Sequence, residues 1–290
     1  MTRTTDTQHL SVLENYWNGR ADREAGREGV DPRKRVHTDL LWREIWRCVG
    51  GRERLTILDA GGGTGRFSIG LAEAGHHVVH LDISGKMLTE ARRRSRHVQT
   101  MRFVQGSITS LGVFEDNAFD MVLCLDAPLS FCHDRYEQAL GELVRVCRST
   151  LVLNVFSRLA IVPLGVPFDV KHYRRLNTVH QVFDTGTLEV TEELRRLQPS
   201  IMPSWHAFMP DELAAMLEDE GCRPVRASAP GALACLVEPE TLREILDEPD
   251  LYEEYLEFEE RYDASPFVRG IACPGGSGLL VTAQKANGTR

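Results

Sequence analysis

The chain has 290 residues, 42% of them hydrophobic and 26% charged, a composition that suits a globular protein with a full core and excludes a disordered chain. Its formal net charge of -8 lacks the basic excess of a phosphate-tracking protein, so a small molecule is the expected partner and nucleic acid is not. No stretch approaches the roughly 18 apolar residues of a membrane span, and the first residues, with Arg3, Asp6, His9 and Glu14, carry no sustained apolar run, so neither a leader nor a membrane partner is expected.

Two helices open the sequence, over 8–17 and 33–49, the second carrying Leu40, Leu41, Ile45 and Trp46 at helical spacing. From Leu55 onward short apolar runs alternate with amphipathic stretches. That pattern predicts an α/β fold, a doubly wound, mostly parallel seven-stranded sheet with helices on both faces. Strands are expected at 55–60, 77–82, 101–105, 119–125 and 150–156. Between them come a helix from Thr64 with Phe67, Ile69 and Leu71, a helix capped by Ser84, and one over 134–147 with Leu140, Leu143 and Val144 inward. An irregular segment over 157–208, rich in Pro, Gly and aromatic residues, is too long for an ordinary connection and reads as a binding element. A helix at 210–220, a strand near 223–229, a second insertion over 231–275 with an acidic helix at 251–262, and a last strand at 279–284 complete the pattern. The expected organisation is one domain over 1–290: a helical cover (1–54), a core (55–156), and two lid insertions (157–208 and 231–275).

The cysteines, Cys48, Cys124, Cys132, Cys147, Cys222, Cys235 and Cys273, show no CxxC pair and no regular spacing, which predicts free thiols and no metal site. A reducing compartment and the absence of a leader make the cytoplasm the expected location. The cluster Arg92, Arg93, Arg94 and Arg96 reads as solvated helix surface.

The strongest signal is Leu58-Asp59-Ala60-Gly61-Gly62-Gly63-Thr64-Gly65, placed where a strand turns into a helix and a ligand can approach bare backbone. The dinucleotide fingerprint counted from Gly61 needs a glycine where Arg66 stands. A carboxylate just ahead of the first glycine, Asp59, suits the ammonium of a bound amino acid, such as that of S-adenosylmethionine, better than a pyrophosphate. Asp82, at the end of the second strand, sits where a doubly wound fold offers an acid to ribose hydroxyls.

With LDAGGGTG as first motif and HLDIS as ribose-binding strand end, the sequence resembles the class I, Rossmann-like methyltransferases of the small-molecule type, most closely over 55–156. The resemblance implies S-adenosylmethionine as cofactor, bound by Asp59, Gly61, Gly63, Gly65, Asp82, Ile83 and Met87, with Gly106, Ser107 and Ile108 at the adenine. Ser107 stands where the family commonly has Asp. It further implies that Leu125 meets the methionine portion of the cofactor, and that Tyr16 and Trp17 belong to an N-terminal cover. Core packing is an equal reading for Trp17.

Methyl transfer from a sulfonium is an in-line displacement of an already activated group, so the protein's part is alignment and exclusion of water. A nucleophile that must lose a proton wants a base, and the candidates are Asp126, His133, His172, Tyr173, His180 and His206. Phe168, Trp205 and Phe208 add aromatic surface that suits a small, partly apolar organic acceptor. Pro210 with Asp211 and Glu212 reads as a helix start. The sequence leaves open another sulfonium-using transferase or cyclase on the same fold, a non-catalytic cofactor-binding protein, or transfer to tRNA or protein, which the acidic charge disfavours. It does not set the oligomeric state, and a homodimer is compatible with it.

Overall fold

A computed structural model describes residues 6–271 and 278–286. The chain opens with helices α1 (Asp6–Asn18) and α2 (Ala21–Gly26), a 3-10 turn at Arg27–Gly29, and α3 (Pro32–Val49). Helix α3 starts where the Asp31 carboxylate accepts the Arg33 amide and Pro32 needs no partner for a missing N–H, and it stops at left-handed Gly50. The alternating part follows: β1 (Thr56–Ala60), α4 (Arg66–Glu73), β2 (His77–Asp82), α5 (Gly85–Arg94), β3 (Met101–Gln105), β4 (Phe119–Cys124), a 3-10 segment at Ser130–Arg135, α6 (Tyr136–Val146) and β5 (Cys147–Val155). Ser84 caps α5 by accepting the Met87 amide, as its spacing predicts.

One sheet runs β3-β2-β1-β4-β5 and is completed by β9 (Leu279–Lys285) and β8 (Cys222–Ser228). The first five strands are parallel; β9 is antiparallel to both β5 and β8. The expected mostly parallel seven-stranded sheet is therefore borne out. Alternation along each strand feeds both faces. Leu58, Val122, Leu151 and Leu153 point to one side, against Leu140 and Leu143 of α6 and Leu213 of α10 (Pro210–Asp219). Ile57, Met121, Leu123 and Val152 point to the other, against Leu41 and Ile45 of α3 and Phe67 and Leu71 of α4. Pro224, which has no amide to offer, lies at a register shift in β8, an edge strand.

The expectation of an irregular segment over 157–208 is corrected. It holds α7 (Arg158–His172), α8 (Asn177–Thr185), β6 (Thr187–Leu188), α9 (Glu192–Leu197) and β7 (Trp205–His206), the two short strands pairing antiparallel. Pro163 and Pro167 lie inside α7 and erase the sequence signal of a helix. The second insertion contains α11 (Pro239–Asp247), α12 (Pro249–Asp263) and α13 (Pro266–Ile271). Both insertions depart from the carboxyl ends of strands pointing the same way, β5 and β8. Cys48, Cys124, Cys132, Cys147 and Cys222 are free thiols, whereas Cys235 is disulfide-bonded. This corrects the expectation of free thiols throughout: the lack of a CxxC pair or a regular spacing does not exclude a disulfide at Cys235. Cys273 lies outside the described residues. Among the described residues no helix is long and apolar enough to cross a membrane.

Candidate active site

The turn after β1 is held from behind. The amides of Gly61 and Gly62 both donate to the Leu81 carbonyl, at 2.7 and 3.1 Å, which ties β1 to the end of β2. The Gly63 amide donates to Asp82 Oδ2 at 2.9 Å and the Ser84 amide to Oδ1 at 2.8 Å, so Asp82 is fixed by the backbone it faces. Burial raises the Asp82 carboxyl above its ordinary value, against the pull of these two amides. Under the turn lies a buried chain of polar groups. Ser68 Oγ contacts Asp59 and sits 2.7 Å from His80 Nδ1, while His80 Nε2 donates to the Gly63 carbonyl at 3.1 Å. Burial pushes the Asp59 carboxyl up to about 6.

Two glycines of the turn need their freedom for different reasons. A Cβ on Gly61, at φ 82°, would lie 2.4 Å from Cγ of Pro128, so β4's exit packs directly on the turn. A Cβ on Gly63, at φ 58°, would meet nothing within 4 Å, because it would project into open space.

That space is a cleft of about 980 Å³, part of it open to solvent. Its floor is Asp59, Gly61, Gly62 and Gly63. One end is walled by Asp82, Ile83, Met87, Gly106, Ser107 and Ile108, the other by Glu24, Arg27, Arg66 and Asp126, and Leu13, Trp17, Leu125, Pro128, Phe131 and Cys132 are among the rest of the lining. The N-terminal helices reach it because α1 is pinned on three sides. Asn18 Oδ1 accepts from Ser84 Oγ and the Lys86 amide, Gln105 Nε2 donates to Glu14 at 3.2 Å, and His9 Nε2 donates to the Phe131 carbonyl at 3.0 Å.

Asp126 is the junction of the polar end. Oδ2 accepts from Arg27 at 2.7 Å and from Arg66 at 2.8 Å, and His37 Nε2 lies 3.3 Å from Oδ1. His37 in turn donates through Nδ1 to the Pro230 carbonyl at 3.0 Å. Asp126 and Ala127 are consecutive non-glycine residues in the left-handed region, at φ 63° and 70°, a local cost that their surroundings must hold in place. Asn154, at the end of β5, supplies part of that hold by accepting both their amides, through its side chain and its carbonyl. Burial alone would raise the Asp126 carboxyl, but Arg27, Arg66 and His37 outweigh it and hold it well below the ordinary carboxylate range.

A sequence model described as a methyltransferase domain matches residues 57–150. Demethylmenaquinone methyltransferase of Beutenbergia cavernae is 33% identical over 195 residues, which cover 64% of this chain and 74% of that protein. The chain belongs to the class I S-adenosylmethionine-dependent methyltransferases. The ubiquinone/menaquinone biosynthesis C-methyltransferase UbiE of Citrobacter koseri is 29% identical over 198 residues, 64% of this methyltransferase and 73% of the relative. The fold is shared with 1,6-didemethyltoxoflavin-N1-methyltransferase of Burkholderia thailandensis, solved with S-adenosylhomocysteine, at a TM-score of 0.59 and 16% identity over 99% of this chain and 93% of that one. S-adenosylmethionine is the cofactor, and the cleft fits it: the space beside Gly63 receives a ligand against backbone, with a carboxylate at one end and two guanidinium groups at the other.

Of the residues expected at the cofactor, Asp59, Gly61, Gly63, Asp82, Ile83, Met87, Gly106, Ser107, Ile108 and Leu125 line this methyltransferase's cleft. Tyr16 does not; its ring lies under Arg20, 3.7 Å from ring centroid to guanidinium carbon, and its neighbour Trp17 faces the cleft instead. Gly65 stands behind the turn as the left-handed N-cap of α4. Among the expected bases only Asp126 lines the cleft. His133 lies just beyond Phe131 and Cys132, at φ 56°, between Asp134 and Glu189, and burial lowers its pKa. His206 is buried, hydrogen-bonded to Thr187 at 2.8 Å and Glu212 at 3.2 Å and stacked on Tyr136. His172 and Tyr173 pack against Phe168 at the end of α7, and His180 is exposed on α8. Sequence reasoning missed Leu13, Glu24 and Arg27, which reach the cleft from elements far from the motif. Arg66 was noted only as a departure from the dinucleotide pattern.

Proposed function

We propose that this methyltransferase acts on a small, partly apolar organic acceptor that arrives with its nucleophile ready to react. The carrying observation is the state of the cleft's titratable groups. Asp126 is held ionised between two arginines, Glu24 is paired with Arg27 at 3.2 Å, Asp82 is bound by two amides, Asp59 is engaged with Ser68, and burial pushes the Cys132 thiol well above its ordinary value. Such a set binds and orients: even Asp59, the lining carboxyl that burial pushes up to about 6, is engaged by the Ser68 hydroxyl beneath the glycine turn rather than open to an acceptor. Leu13, Trp17, Pro128 and Phe131 provide the apolar wall for the acceptor.

The bound sulfonium supplies an activated methyl group. In our reading Asp82 accepts from the ribose hydroxyls, Ile108 covers the adenine, and Arg27 and Arg66, the cations that line the cleft, hold the methionine carboxylate. Asp126 is a positioning residue that brings the two guanidinium groups together. The helices of 1–54 cover the cleft, and the insertions at 157–208 and 231–275 brace that cover. Support for the brace comes from an apolar cluster in which Leu13 and Phe131 meet Val182, Leu188, Leu194 and Trp205, and from the His37–Pro230 bond.

Calorimetric titration with S-adenosylmethionine and S-adenosylhomocysteine comes first, comparing wild type with Asp82→Ala and Gly63→Val. Micromolar binding lost in both variants is expected. Transfer of a labelled methyl group is then measured to a panel of small phenols and hydroquinones, with bulk tRNA beside them. Incorporation into tRNA and into none of the small acceptors would sink the acceptor reading.

A further inference from the structure

We infer that the outer face of the α7–α8 hairpin is a docking surface for an anionic lipid bilayer. The inference goes beyond the acceptor reading and does not depend on it, and it revises the expectation of no membrane partner. Of the fifteen residues of α7 only Ala160 and Asp169 are buried. Leu164, Val166 and Val170 of this helix are exposed, as are Leu176 and Phe183 on and beside α8, with Phe183 55% and Leu164 49% accessible. Large apolar side chains gathered on two neighbouring helices mark an interaction surface rather than ordinary scatter.

The charges say which partner fits. Lys171, Arg174 and Arg175 follow directly on Val170 and precede Leu176, all three exposed and without an ion pair among the described residues, while the one carboxylate of α7, Asp169, is buried and spent on Thr178 and the Val179 amide. Within a chain of net charge -8 this stretch is locally basic. Apolar residues flanked by cations on a helical surface suit insertion at the boundary between acyl chains and anionic headgroups. A second copy of the chain fits less well, since a two-fold contact doubles the patch and gathers six cations into one interface, while the carboxylate of α7 is already spent within the chain. A bound peptide helix wants a groove, and no residue of 158–185 lines the main cleft or the two smaller ones beside α3 among the described residues.

The test is flotation of the full chain with vesicles of phosphatidylcholine alone and with 30% phosphatidylglycerol, at about 0.05 and 0.5 M salt. Two exposed-residue variants accompany it, Lys171→Glu/Arg174→Glu/Arg175→Glu and Leu164→Ser/Phe183→Ser. Each is first shown to melt like wild type and to bind S-adenosylhomocysteine with wild-type affinity, which separates this question from that of the cofactor site. Wild type is expected to float with anionic vesicles and not with neutral ones, and to lose that binding at high salt. The charge variant is expected to bind about a hundredfold more weakly, and the serine variant to lose at least tenfold. Absence of flotation with anionic vesicles, or flotation unchanged in the charge variant, overturns the proposal. So does a wild-type dimer in sedimentation that the serine variant dissociates, because the patch then covers a second copy.

Discussion

At Asp126 one carboxylate serves two arginines, a histidine and a strained pair of backbone residues, and this sharing decides what it can do. A carboxyl held well below its ordinary value is a weak base and a good anchor. Asp126→Asn is expected to weaken S-adenosylhomocysteine binding by about 10- to 100-fold, as for loss of hydrogen bonds to charged groups; wild-type affinity in that variant would remove its positioning role. The glycines give a sharper contrast. Gly61→Ala drives a Cβ into Pro128 and is expected to lower the melting temperature strongly, whereas Gly63→Ala costs about 1–2 kcal/mol of left-handed strain and acts mainly by filling the cleft. A melting curve and a binding titration on both variants should separate the two effects. Much of this was legible in the sequence, because the turn, Asp82 and Gly106 to Ile108 are local to strand ends. The resemblance put Trp17 in the N-terminal cover, but Arg27 and Leu13 were hard to place for a physical reason: their side chains reach the cleft only through the packing of α1 and the Arg27–Gly29 turn, and nothing local in the sequence encodes that.

At the scale of elements, His206, Glu212 and Arg158 explain how the chain re-enters the sheet after its long first insertion. Glu212, in the first turn of α10, accepts from the Met209 amide, meets Arg158 at 2.6 Å and His206 at 3.2 Å, and so joins α7, β7 and α10. Glu212→Ala removes the carboxylate that a half-buried guanidinium and a buried imidazole share, with an expected loss of about 3 kcal/mol of stability and no change in cofactor affinity. A binding loss equal to that of Asp82→Ala would instead place this network in the site. The sequence showed the helix start at Pro210, Asp211 and Glu212, and all seven strands of the large sheet. It hid α7 behind two prolines, and it hid β6 and β7 because two-residue strands carry no period.

For the whole molecule, buried acids set how stability follows pH. Asp263 and Glu259 of α12 accept the amides of Gly231, Ala232 and Ala234, so two carboxyl groups hold one turn with little water around them. Burial, with Glu259 adding to it, pushes Asp263 up to about 8, and burial pushes Asp59 up to about 6. A carboxyl raised in the folded state binds its proton more tightly there than in the unfolded chain, so stability falls as pH rises from about 4 through 8. Asp126 acts in the opposite sense, its contribution being lost as pH falls below the ordinary carboxylate range. Melting temperatures taken from pH 5 to 9 are expected to decline, and Asp263→Asn to flatten the slope; an unchanged slope in that variant would clear Asp263 of the effect.

The placement of β9 has a consequence for how the molecule is made. Strands β5 and β8 never touch each other; each pairs with Leu279–Lys285, which enters between them from the far end of the chain. During synthesis, therefore, one edge of the half-built sheet stays open, and the apolar inner face of β8 has no seat, until these late residues leave the ribosome. A nascent chain stalled before Leu279 presents an unpaired, hydrophobic β5 edge to its neighbours, the kind of edge that chaperones shield and that aggregates recruit.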